Sequence, residues 1–219
     1  MNLCFETRPM CRCRTCRHRK QYLKLNVMSC CVENGMKCPA LNCAKYDPLP
    51  EYMPIISIDP GNTESAYCLI DKDYHPMQFS KLDNHTLITF LTRLVTRREI
   101  SEVAIEMVAC YGMPVGKEVF DTVVWIGRFE QIALQNGLKV THVFRKDVTL
   151  NLCHSMKAKD PNVRQALIDR FASHDLVNGK GTKDKPDWFY GFKADIWAAY
   201  GVGVTLLDER SSNELKGAQ

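Results

Sequence analysis

Three carboxylates sit where an α/β chain seldom places them. Asp59 closes the run Ile55-Ile56-Ser57-Ile58-Asp59-Pro60-Gly61. Glu106 lies inside Val103-Ala104-Ile105-Glu106-Met107, and Asp195 lies in Lys193-Ala194-Asp195-Ile196-Trp197-Ala198-Ala199. An acid within an apolar strand is costly unless it is paired, protonated or bound to metal. Three such acids from three elements, brought together, form a cluster that only cations neutralise. Two Mg²⁺ or Mn²⁺ ions held ~3.5–4 Å apart stabilise the attacking and leaving oxygens of an in-line displacement at phosphate. Such hard cations take carboxylate oxygens and keep several waters. Taken singly, each acid has a plainer reading. Asp59 suits a turn, Glu106 suits the solvated face of an edge strand, and Asp195 suits the first turn of a helix, where it favours the dipole. Their joint occurrence, in this order and on these elements, points to the chemistry.

Cysteines form a second constellation. Eight of eleven lie in residues 1–43, at Cys4, Cys11, Cys13, Cys16, Cys30, Cys31, Cys38 and Cys43. Cys13 and Cys16 make a Cys-x-x-Cys knuckle among arginines, and Cys38 and Cys43 offer a second pair after twenty-one intervening residues. That spacing suits a tetrahedral structural Zn²⁺ site. Cys11, Cys30 and Cys31 are alternates for any of the four, and His18 is a further ligand candidate. A module of this size with few large apolar groups needs such a staple to fold. The stretch before the first acid therefore reads as a basic zinc-binding module over 1–46, followed by a Pro-rich linker over 47–54.

The elements that must position the acids follow from hydrophobic spacing. Strands are expected over Ile55–Asp59, Ser65–Asp71 and Met77–Leu82, joined by short turns as an antiparallel meander. A helix capped by Asp83 or Asn84 runs through Arg97, with Leu87, Phe90, Leu91 and Leu94 on one face. A strand over Val103–Val108 and a helix from Gly116 to Asn136, closed by Gly137, come next. A strand over Lys139–Phe144 and a helix from Pro161 to Ser173 follow. Asn178 to Pro186 reads as a mobile loop. The last helix covers Lys193–Leu207, with Asp195, Ala198, Ala199, Val202 and Leu206 on one face. Its small residues would let it approach the sheet. The order βββαβαβαα describes an α/β domain over 55–210, a mixed sheet flanked by helices, with a polar tail over 211–219.

Ile-Asp-Pro-Gly-Asn before a hairpin, Val-Ala-Ile-Glu-Met and Lys-Ala-Asp-Ile-Trp-Ala-Ala-Tyr together resemble the RuvC type of Holliday-junction resolvase, over about Ile55 to Leu207. The resemblance implies an RNase H-like fold, a homodimer, Mg²⁺ or Mn²⁺ at Asp59, Glu106 and Asp195, and paired nicks in branched DNA such as a four-way junction. It departs from the family in one respect. The family's further acid, three residues before the last Asp, is Phe192 here, and Asp184 and Asp187 are the nearest acidic candidates. The family does not require a zinc module, and a resolvase that carries one would fit a phage recombination gene.

Charge distribution fits a nucleic-acid partner. Residues 1–50 hold nine Lys/Arg and three Asp/Glu, whereas the rest of the chain is slightly acidic, within a formal net charge of +4. Arg145, Lys146, Lys157, Lys159 and Arg164 are candidates for contact with the DNA backbone. Lys193 is either a phosphate contact or a solvated lysine at a helix start. Tyr111 and Met113 are candidate wedges into branched DNA. The sequence has no stretch of 18 apolar residues and no apolar leader at its N-terminus, so the expectation is a cytoplasmic protein, of a bacterium or a phage-infected cell, with no membrane partner. Three alternatives stand beside the resolvase reading. One is an RNase H-like nuclease acting on RNA or an RNA–DNA hybrid. Another is a non-catalytic zinc-dependent DNA-binding protein. The third is an ATP-binding domain of the sugar-kinase and actin type, suggested by Asp59-Pro60-Gly61-Asn62-Thr63 but lacking a second phosphate loop.

Overall fold

A computed structural model describes residues 53–217, apart from Tyr111 and Met113. The expected zinc ligands Cys13, Cys16, Cys38 and Cys43, their alternates, and both wedge candidates lie outside the described residues.

Five strands form one sheet in the order β3-β2-β1-β4-β5. They are β1 (Ile55–Asp59), β2 (Glu64–Ile70), β3 (Pro76–Asp83), β4 (Glu102–Met107) and β5 (Lys139–Phe144). β1, β2 and β3 make an antiparallel meander, while β4 pairs parallel with both β1 and β5. The Ile-rich β1 is central and covered on both faces, as a parallel pairing requires. Its polar member before Asp59, Ser57, is fully buried and donates its hydroxyl to the Cys68 carbonyl at 3.2 Å.

One face carries α1 (Asn84–Arg97) and α2 (Lys117–Gln135). Asp83 caps α1 by accepting the Thr86 N–H at 3.0 Å, and the helix closes at Arg98 in the left-handed region. Leu87, Leu91, Leu94 and Val95 of α1 and Ile126, Phe129 and Ala133 of α2 pack with Ile56, Ile58, Val103 and Ile105. Full burial of each large side chain contributes about 1.5–3 kcal/mol.

The other face carries α3 (Arg145–Cys153), α4 (Asp160–Phe171) and α5 (Ile196–Gly217). Here α5 lies over Ile55, Ala66, Cys68, Ile70 and Ala104. Its approach is set by Gly203. A Cβ there would stand 2.3 Å from Ile70 Cδ1 and 2.8 Å from Ser57 Oγ, so no side chain fits between helix and sheet. Sequence spacing put this close approach on Ala198 and Ala199. Ala199 is indeed buried, but Gly203 is the point of tightest contact.

Three expectations are corrected. The order is βββαβαβααα, because α3 follows β5 directly where a loop was expected. Only Val148 and Thr149 of α3 are fully buried, too few for a clear helical period, and Asp147 fastens its start by accepting the Phe144 N–H at 3.1 Å. The last helix starts at Ile196 rather than Lys193 and continues to Gly217 through the stretch expected as a polar tail. Arg210 pairs with the buried Glu102, and Ser211 donates to the Leu207 carbonyl at 3.1 Å, so these polar residues extend the helix. The stretch 178–186 is tied down. Asp175 accepts the N–H groups of Asn178, Lys180 and Gly181 at 2.9–3.1 Å, and Gly181 bridges to Pro186.

Candidate active site

Strand register places the chemistry in one row across the sheet. Asp59 stands opposite Ala66 on β2, and Ala66 stands opposite Lys81 on β3. On the other side, Ile58 pairs with Ile105, which puts Glu106 beside Asp59, and Glu106 stands opposite Val143 on β5. Side chains alternate along a strand. Lys81, Ala66, Asp59, Glu106 and Val143 therefore share the face that α5 covers. Asp195 arrives from above that row, as the residue whose carbonyl accepts the first bond of α5, from the Ala199 N–H at 3.0 Å.

The turn after Asp59 is locked. Ser65 accepts the Gly61 N–H at 3.1 Å and donates its hydroxyl to Asn84 Oδ1 at 2.6 Å, while the Asn84 amide donates to the Gly61 carbonyl at 3.0 Å. Ser65 and Asn84 are both buried. A Cβ on Gly61 would lie 2.3 Å from the Glu64 carbonyl oxygen, so the turn needs glycine there.

Asp59, Glu106 and Asp195 line one open cleft of about 800 Å³, together with Arg145, Asp160 and Arg164. A smaller pocket of about 300 Å³, walled by Pro60, Met107, Val115 and Val119, opens on the other side of Asp59 and Glu106. Burial, then the negative charges of Glu106 and Asp195, push the Asp59 carboxyl up to about 8. Burial also raises Glu106, against the lowering pull of Arg145. Asp59 and Glu106 thus stand side by side on neighbouring strands, and both carboxyls are raised. Two cations offset the remaining charge. Arg145 stands 3.9 Å from Glu106 while also pairing with Asp160, and Lys81 Nζ stands 2.8 Å from Asp195 Oδ2.

Among the described residues, no three His, Cys, Asp or Glu side chains surround one point closely enough to hold an ion between them. The donor chemistry nonetheless suits Mg²⁺ or Mn²⁺. The donors are carboxylates alone, one of them raised by burial and by its acidic neighbours, in a cleft open to water. Mg²⁺ is commonly held by one or two carboxylates with waters and substrate phosphate. Asp59, central in the row, would share such ions with Glu106 and with Asp195.

The other candidates fall into place separately. Arg164 lines the cleft, with its guanidinium 4.8 Å over the Trp197 ring. Lys146, Lys157, Lys159 and Lys193 are exposed and are not among the residues of the cleft wall. Asp187 does not serve as a fourth acid. Its buried carboxylate accepts the N–H groups of Ser173, His174, Asp175 and Trp188 and the Ser173 hydroxyl, and these hold it far below the usual carboxylate range. Asp184 is exposed in the same segment. Phe192, at the family's acidic position, is fully buried against Phe79, Phe189, Trp197 and Tyr200. Sequence reading missed Lys81 and Asp160. Only strand register reveals Lys81, and Asp160 before Pro161 looked like an ordinary helix start.

The sheet order, the meander and the α5 face define an α/β fold with a mixed five-stranded sheet, and solved structures resemble it. The chain overlays Thermus thermophilus RuvC with a TM-score of 0.53 at 14% identity, over 73% of this chain and 97% of that one. It overlays T. thermophilus RuvC in complex with a Holliday junction substrate with a TM-score of 0.54 at 14% identity, over 73% and 96%. The fold is thus that of RuvC. No protein-family model matches the chain, and no curated protein matches it in sequence. No helix among the described residues is long and apolar enough to cross a membrane.

Proposed function

We propose that this protein is a metal-dependent endodeoxyribonuclease that resolves four-way DNA junctions. The observation behind this reading is the meeting of Asp59, Glu106 and Asp195 in one solvent-open cleft. The likeness to a RuvC bound to a Holliday junction supports the choice of substrate. Divalent ions at these carboxylates would supply the charge that phosphodiester hydrolysis needs.

The chain's own groups have separate tasks. Asp59 sits between the other two acids and would hold divalent ions together with them. Glu106 lies beside it on β4 and is steadied by Arg145. Arg164, in the cleft wall, holds backbone phosphate, and Lys146, Lys157, Lys159 and Lys193 extend the positive track outside it. The protein acts as a homodimer, as symmetric cutting of a junction demands. Phe120, Val123, Val124 and Leu134 lie exposed at helical spacing along one side of α2 and suit a second copy. Cys13, Cys16, Cys38 and Cys43 bind a structural Zn²⁺.

The test is cleavage of a labelled four-way junction in Mg²⁺, beside linear duplex and RNA–DNA hybrid. Paired nicks in the junction, lost in Asp59→Asn, are expected. Cutting of the hybrid alone would replace the substrate, and binding without any cutting would overturn the catalytic reading.

A further inference from the structure

We infer that Lys81 is a resident cation of the acid cluster: its ammonium holds the Asp195 carboxylate oxygen that an incoming divalent ion must take. This rests on the metal-dependent reading above.

Register places Lys81 in the same row as Asp59, two strands away, with only the Ala66 methyl between them. Neighbouring strands lie ~4.8 Å apart, so a lysine stem spans the distance that a shorter side chain would leave open. Its Nζ reaches Asp195 Oδ2 at 2.8 Å, and that is the one ion pair of Asp195 among the described residues. Nothing comparable stands on the Glu106 side, where Arg145 is 3.9 Å away and also committed to Asp160. The ammonium thus neutralises the acid that descends from α5, on the flank of the row away from Glu106.

Lys81 also has somewhere to go. Glu64 Oε2 lies 3.6 Å from the same Nζ, and Glu64 stands two residues before Ala66, on the same face of β2. The lysine sits between two carboxylates and changes partner with a small swing. β3 is an edge strand and the Lys81 side chain is 40% exposed, which leaves the ammonium room to move. Lys81 therefore sets how much free divalent ion the site requires.

The experiment is a titration of the metal-free full chain with Mn²⁺, without DNA, following free ion by electron paramagnetic resonance. Lys81→Met and Lys81→Gln should bind Mn²⁺ roughly three- to fivefold more tightly than wild type, the range expected for removing a half-exposed competing ion pair. Lys81→Arg, which keeps the charge, should stay within about twofold of wild type. Equal affinity of wild type and both neutral variants, with binding lost in Asp59→Asn, would overturn the role of Lys81 and leave the metal reading standing. Failure of wild type and neutral variants alike to bind Mn²⁺ would overturn both.

Discussion

Two pairs of acids, one in the segment between α4 and α5 and one on the central strands, show what decides the fate of a carboxylate inside a fold. Asp187 and Asp175 sit in the segment between α4 and α5, where backbone N–H groups converge on them, and both are held below the usual carboxylate range. Asp59 and Glu106 sit on central strands whose N–H groups are already used in the sheet, and both are raised. The residue types are nearly the same, and the supply of donors is opposite. An acid saturated by amides is part of the scaffold. An acid raised by burial and by like-charged neighbours is ready to receive a cation.

The largest expected effect breaks the second pair. Asp59→Asn should lower junction cleavage at least about a thousandfold, as loss of an electrostatic group at the reacting centre does. The same change should leave the fold intact, read by circular dichroism. Next, Asp187→Ala should destabilise the domain by about 1–3 kcal/mol, because several part-buried N–H groups lose their acceptor, and urea unfolding measures it. Asp187 also predicts acid sensitivity. Its folded value is depressed, so its contribution is present above the ordinary value of 3.8 and fades as pH falls below it.

The pH behaviour of Asp59 has the opposite sign. Its folded value is raised to about 8, so its contribution is full below 3.8 and is lost as pH rises through 8. The metal-free wild type should therefore lose melting temperature between pH 6 and pH 9. Asp59→Asn should flatten that profile and melt roughly 3–8 °C higher at pH 9. A profile identical to wild type would contradict the raised acid. Mn²⁺ uptake at pH 7 should release about one proton, detectable by comparing binding heats in buffers of different ionisation enthalpy. The smallest effect tests the frame around the pair. Gly203→Ala should cost about 1–3 kcal/mol through overpacking against Ile70 and Ser57.

The fold was largely legible because its signals are local. The Ile-rich first strand, the Asp83 cap and the Gly137 stop each act within a few residues. Asp59, Glu106 and Asp195 stood out for a related reason, as acids in apolar or small-residue surroundings. What was hidden depends on distant pairing. Lys81 reads as a plain edge-strand lysine until the β1–β2–β3 register aligns it with Asp59. Asp187 reads as a loop acid until residues 173–175 fold back onto it. Helix α3 buries too little to show a period, and Lys193 and Ala194 lie before α5 because the chain takes a positive φ at Ala194.

The row across the sheet also has a consequence for how the protein folds. Its charged members come from β3, β1 and β4, and their closing partner Asp195 lies far along the chain, so no single hairpin or helix pair contains the site. Closing so long a stretch costs entropy before any contact rewards it. Competence should therefore return last in refolding, after the sheet has formed and α5 has docked. Amide exchange at Asp59 and Glu106 should report the opening of the whole domain rather than local fraying.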